Sequence, residues 1–139
     1  MDRAELKKII LEILSEEVCP VKRVPLQTLA CSESDRLDTG DPAHRVYTRD
    51  LFSLEESPRL GAGLMEMEET TFPWTLAYDE IDYVLSGRLT IYCGEQSVTA
   101  QPGEILLIPR GSEIRFSAGE KTRFLYVTYP ADWQHAAEK

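Results

Sequence analysis

The sequence predicts an all-β domain, an antiparallel sandwich or barrel, with one short amphipathic helix ahead of it. Three observations carry that prediction. From Val46 onward, short runs rich in Val, Ile, Leu, Tyr and Thr recur between turn signals, as in "IDYVLSGRLTIYCGEQSVTAQPGEILLIPRGSEIRF", the texture of strands with no helix between them. Glycines fall where tight turns need a residue free to take positive φ, at Ser86-Gly87, Cys93-Gly94-Glu95, Pro102-Gly103 and Arg110-Gly111-Ser112. A length of 139 residues suits one sizeable core and not two.

The helix comes first in the chain. Asp2 and Glu5 stand in capping-box spacing, and Leu6, Ile9, Ile10, Ile13 and Leu14 recur on one helical face. Pro20 cannot donate a helical hydrogen bond and disfavours helix at Cys19, so the helix occupies residues 3 to 17 within a segment 1–18. Residues 19–44 hold prolines and the polar cluster "SESDRLDTGD" with no sustained period. They read as a connector, with one short edge strand around Val24 to Leu29. Residues 45–135 make the β domain.

Composition removes several function classes. A net charge of −9 and a pI near 4.7 disfavour nucleic acid and anionic membrane surfaces, which need a clustered positive face. No run approaches the ~18 apolar residues of a membrane helix, and charges interrupt the N-terminus where a signal peptide needs an unbroken apolar core. A cytoplasmic protein is expected. Cys19, Cys31 and Cys93 lack CxxC spacing, so they suggest neither a disulfide framework nor a thiolate zinc site. The two histidines, His44 and His135, are expected at surface or hydrogen-bonded positions.

The chemically loaded stretch is "YDEIDYVLSG". On a strand, residues two apart share a face, so Glu80, Asp82 and Val84 point the same way. If that way is inward, burial and mutual repulsion raise at least one carboxyl pKa. The pair then becomes a proton donor or a hard oxygen site for partly hydrated Mg²⁺. Hydrogen bonding to a Tyr, Arg or backbone group is the structural alternative.

Two spacings occur together: Glu80, six residues, Gly87; then Gly103, five residues, Pro109, one residue, Gly111. The pair resembles the two motifs of the cupin superfamily, "G-x5-H-x-H-x3/4-E-x6-G" and "G-x5-P-x-G-x2-H-x3-N". That resemblance implies a double-stranded β-helix, a jelly-roll-like barrel, with Glu80 facing its interior. The motif histidines are missing. Their positions hold Trp74, Leu76 and Ile114, or Pro73 and Thr75 with a four-residue gap, and the asparagine position holds Ala118. One carboxylate without imidazoles holds iron, manganese, nickel or zinc poorly, so no transition metal is expected.

A narrower resemblance covers residues 38 to 135. The runs "DTGDPAHRV", "FPWTLAYDEIDYVLSGRLTI", "PGEILLIPRGSEIRF" and "TRFLYVTYPADWQ" are similar to the C-terminal cupin domain of the ethanolamine-utilization EutQ family, in which absent histidines are the rule. It implies an accessory role in bacterial microcompartments and an acetate kinase activity with Mg²⁺ and ATP or ADP. No nucleotide motif such as GxxxxGK[ST] supports that activity independently. A non-enzymatic scaffold or small-molecule-binding module is the alternative.

The expected catalytic residues are Glu80 and Asp82. Trp74, Leu76, Tyr78, Ile114, Phe116 and Tyr126 are expected to line a pocket, with Tyr83 and Tyr129 as further aromatic candidates. Arg110, Arg115 or Arg123 offers a fork of donors for phosphate. A homodimer is expected, because a partner strand commonly covers the sheet edges of small barrels. The helix either docks on shell or cargo proteins or packs on its own barrel, and its pattern leaves both open.

Overall fold

The computed structural model describes residues 2–17 and 19–138. Met1 and Val18, the two ends of the expected helical segment, lie outside the described residues. Helix α1 runs Arg3–Glu17, and the Glu5 amide donates to Asp2 Oδ1 at 2.8 Å, the capping contact its sequence predicts. Leu6, Ile9, Ile10, Leu11 and Ile13 are exposed. Among the described residues no helix is long and apolar enough to cross a membrane.

The strands are β1 Val46–Asp50, β2 Gly61–Met67, β3 Thr70–Thr75, β4 Asp79–Ser86, β5 Leu89–Cys93, β6 Gln96–Ala100, β7 Ile105–Ile108, β8 Glu113–Ala118 and β9 Thr122–Tyr129. All pair antiparallel, in a five-stranded sheet β1-β2-β9-β4-β7 and a four-stranded sheet β3-β8-β5-β6. Alternation decides which side chains fill the space between the sheets. Thr122, Phe124, Tyr126 and Thr128 of β9 are buried, while their odd-numbered neighbours face out. Phe116 stacks between Phe72 at 5.3 Å and Phe124 at 6.3 Å, joining the two sheets through the core.

The expected turns are present, with Gly87, Gly94, Gly103 and Gly111 all at positive φ. Gly87 is doubly constrained, because a Cβ there would overlap Thr122 Oγ1.

The connector differs from its sequence reading. No strand forms around Val24 to Leu29; a single 3₁₀ turn, Leu26–Thr28, stands there. The reason lies in its partner: Arg123 of β9 donates to the Leu29 carbonyl at 2.6 Å and also ion-pairs with Glu66. The Cys31 amide donates to Glu66 as well. The connector is thus held by side chains across the outer face of β2 and β9, where a ladder strand has no edge to join. A C-terminal 3₁₀ helix, Trp133–Glu138, closes one end of the barrel.

Candidate active site

The site is built on β4 and β9. The first six residues of β4, Asp79 to Val84, alternate exposed and buried, which turns Glu80, Asp82 and Val84 inward. Glu80 lies opposite Thr128 on β9 and Ile108 on β7, and Asp82 lies opposite Tyr126 and Leu106. Glu80 is 3% exposed and Asp82 0%. Glu80 Oε2, both Asp82 carboxyl oxygens and Thr128 Oγ1 are buried without a hydrogen-bond partner among the described residues. Burial raises both carboxyls, Glu80 to about 7 and Asp82 well above the usual range. The Glu80 charge raises Asp82 further, and the two carboxyls lie close enough to share a proton, so the oxygens that no other group pairs can pair with each other when one of them is protonated. The two carboxyls therefore titrate as a pair shifted upward, with Glu80 brought to about 7.

Aromatic side chains wall this end of the barrel. Trp74 Nε1 donates to the Tyr78 hydroxyl at 2.7 Å. The Tyr78 phenol is raised by burial and then by the Glu80 charge, which puts it within electrostatic reach of the carboxyl pair. Trp133, 5% exposed, packs against Tyr126 at 5.5 Å, Tyr78 at 5.9 Å and Trp74 at 6.0 Å. Its indole N–H and the Tyr126 hydroxyl both donate to Asp50 Oδ1, at 3.3 and 2.7 Å. The glycines of β2 make this packing fit. A Cβ on Gly63 would overlap the Tyr126 ring, and one on Gly61 would overlap Thr128 Oγ1.

Of the residues expected from sequence, the structure gathers Glu80, Asp82, Trp74, Tyr78 and Tyr126 at one end. Leu76 and Ile114 are buried in the adjoining core. Phe116 belongs to the aromatic stack between the sheets and not to a pocket wall. Tyr83 and Tyr129 are exposed on the outer face of the five-stranded sheet, one residue out of phase with the inward set, so they are corrected out of the site.

None of the three arginines reaches the carboxyl pair. Arg110 is exposed in the turn after β7, with its backbone amide on Asp79 Oδ1 at 2.8 Å. Arg115 lies over the Tyr92 ring at 4.9 Å, and Arg123 is committed to Glu66 and the connector. Among the described residues no group of three or more His, Cys, Asp and Glu is placed to hold a metal ion. His44 hydrogen-bonds Thr39 and His135 contacts Asp132.

The model of the family described as ethanolamine utilisation protein EutQ matches residues 6–135. The chain belongs to the EutQ family. It is 56% identical over 121 residues to a Clostridioides difficile protein named acetate kinase EutQ, an alignment covering 87% of this chain and 77% of that one. An Escherichia coli protein of the same name is 42% identical over 99 residues, 71% of this chain. There the chain spans only 42% of the relative's length. The structure of the Clostridium difficile EutQ protein superposes with a TM-score of 0.81 at 59% identity, covering 84% and 85% of the two chains. A cupin-2 domain protein from Shewanella frigidimarina aligns over 58% of this chain and 76% of its own, at 27% identity and TM-score 0.51. The fold is a cupin jelly roll.

In this barrel the sequence reading missed five contributors: Thr128, Trp133, Asp50, Gly61 and Gly63. Thr128 was legible in principle, two residues beyond Tyr126 and so on its face. "GAG" opening a strand signals a close approach by another group. Trp133 and Asp50 carry no such signal, because their meeting depends on where the C-terminal segment returns.

Proposed function

We propose that this EutQ-family chain serves ethanolamine utilisation as an acetate kinase. The acetate carboxylate attacks the terminal phosphorus of ATP to give acetyl phosphate and ADP, and the reverse reaction regenerates ATP. The activity appears in the relatives' names; the observation that supports a site here is the set of buried, unpartnered oxygens on Glu80, Asp82 and Thr128. Leaving such groups unpaired costs about 1–3 kcal/mol each, which favours an occupant that pairs them.

Phosphoryl transfer depends on positioning and on neutralising phosphate charge. Glu80 and Asp82, with the Thr128 hydroxyl beside them, are hard oxygen donors of the kind that suits Mg²⁺, an ion that keeps several waters and supplies that neutralisation when bound. Holding a cation requires Glu80 to give up its proton, so occupancy strengthens as pH rises through about 7. Trp133, Tyr78 and Tyr126 exclude bulk water from the pair. The setting is the cytoplasm, in a microcompartment whose shell or cargo proteins α1 engages.

Acetyl phosphate formation from acetate and ATP, trapped as the hydroxamate, tests this. Glu80→Gln and Asp82→Asn are each expected to cut kcat/KM by about 10²–10³. Activity that survives both substitutions puts the chemistry elsewhere. The closed aromatic rim and the absence of an arginine beside the carboxyls favour a second reading, a non-enzymatic scaffold or small-molecule-binding cupin. It stands if the purified protein forms no acetyl phosphate.

A further inference from the structure

The end of the barrel that holds Glu80 and Asp82 is closed from outside by the turn that carries Trp133. Ala131 and Trp133 of this turn are buried, while Gln134 and His135 are exposed. Its root lies beside Thr128, since a Cβ on Gly61 would meet both Thr128 Oγ1 and the Ala131 backbone. Inward, Trp133 packs on Tyr126, Tyr78 and Trp74. Outward, two clefts flank the turn. One, of about 240 Å³, lies between Asp50, Leu54, Asp132 and His135, and the other, of about 360 Å³, between Leu51, Phe52, Ser57 and Ala131. The cover therefore has open space beside it.

What fastens the cover is Asp50. This exposed residue ends β1 in register with Gly63 of β2, so its carboxyl stands on a rigid ladder position. The loop that follows, residues 51–60, is braced as well. The Leu51 amide donates to the Ala62 carbonyl at 2.8 Å and the Ser57 amide to the Ser53 carbonyl at 2.9 Å. Asp50 Oδ1 accepts the indole N–H of Trp133 from the turn and the hydroxyl of Tyr126, which lies in register with Asp82. One carboxylate oxygen can take both bonds, and its charge strengthens each. His135, by contrast, turns back to Asp132 within its own turn.

We propose that Asp50 is a positioning residue of this site: from the barrel rim it latches the Trp133 turn over the carboxyl pair, and releasing that latch opens the way in between the turn and the loop after β1. Asp50 acts on the pair through Trp133 and Tyr126. The inference rests on the reading of Glu80 and Asp82 as the site, not on which reaction the site performs.

A thiol placed beneath the cover tests it. Thr128→Cys puts one at a position 1% exposed, and its reaction rate with a small methanethiosulfonate, read by peptide mapping of the full chain, reports how often the cover opens. In that background Asp50→Ala speeds labelling at position 128 by about tenfold or more. Asp50→Asn loses the charge but keeps an acceptor, so its labelling stays within about threefold of the parent. Cys31, half-buried beneath the connector, is the internal control, and its rate stays level when opening is local. Labelling at position 128 that Asp50→Ala leaves unchanged overturns the proposal. So does Asp50→Asn labelling as fast as Asp50→Ala, and so does Cys31 quickening in step, which marks a loosening of the whole barrel. Ile108→Cys, inward on β7 opposite Glu80, gives the same reading where Thr128→Cys does not fold. Labelling needs no turnover. A protein that labels as expected yet forms no acetyl phosphate upholds the latch and refutes the kinase, and one that forms acetyl phosphate while its labelling ignores Asp50 does the reverse.

Discussion

Replacing Glu80 by Gln should make this protein more stable at pH 8 and leave it nearly unchanged at pH 5. Burial lifts the Glu80 carboxyl from an ordinary 4.5 to about 7, so the folded state binds the proton more tightly than the unfolded chain. A raised folded pKa contributes stability that is complete below about 4.5 and lost as pH rises through about 7. At ~1.4 kcal/mol per unit, the loss across that window is about 3 kcal/mol. For a domain of this size it amounts to about 10 °C in Tm. Gln cannot ionise, so the variant escapes the loss. Thermal melts of both proteins from pH 5 to 8.5 read the difference directly, and subtracting the curves removes the general self-repulsion of a chain with net charge −9. Asp82 is shifted in the same direction by burial and by the Glu80 charge, and burial raises the phenols of Tyr78 and Tyr126 as well. Parallel curves, or a wild type that gains stability relative to Glu80→Gln toward pH 8, would refute a buried titrating Glu80.

Two further outcomes follow from the same packing. Gly63→Ala drives a methyl into the Tyr126 ring and should cost about 1–3 kcal/mol, read as a lowered urea midpoint with an unchanged m-value. Cys31, its thiol pushed up to about 12 by burial and then by the Glu66 charge, should react with a thiol reagent at pH 8 far more slowly than exposed Cys19 and Cys93.

What the sequence disclosed depended on period. Alternation along "DEIDYVLS" fixes the facing of Glu80 and Asp82, because a one-residue slip would bury Asp79 and Ile81 in their place. Turn glycines were equally legible, since few other residues tolerate positive φ. Within the connector, only the stretch from Val24 to Leu29 was misread as a short edge strand, because its order comes from Arg123 and Glu66, nearly a hundred and about forty residues away from Leu29. Tyr83, Tyr129 and Phe116 were over-read, because aromatic identity says nothing about which face of a strand a ring occupies until the register is known. The closure of the barrel by Trp133 over Asp50 was out of reach for the same reason as the connector: it is a long-range meeting with no local pattern.

The missing histidines and the neutral-pH carboxyl are one physical change. In a cupin motif, imidazoles at the positions of Trp74, Leu76 and Ile114 would surround Glu80 with polar donors and a cation, both of which favour its ionised form. Here those positions carry an indole and two aliphatic side chains packed into the core. Removing ligands alone would leave a solvated carboxylate with an ordinary pKa. Filling their places with apolar volume, and sealing the end with Trp133, takes water away as well. Desolvation then has no charge to oppose it, and Asp82 at the next inward position adds a second acid instead of a counter-ion. Apolar side chains at the positions where the cupin motif places imidazoles thus go with a buried acidic pair, and pH near 7 sets the charge of Glu80.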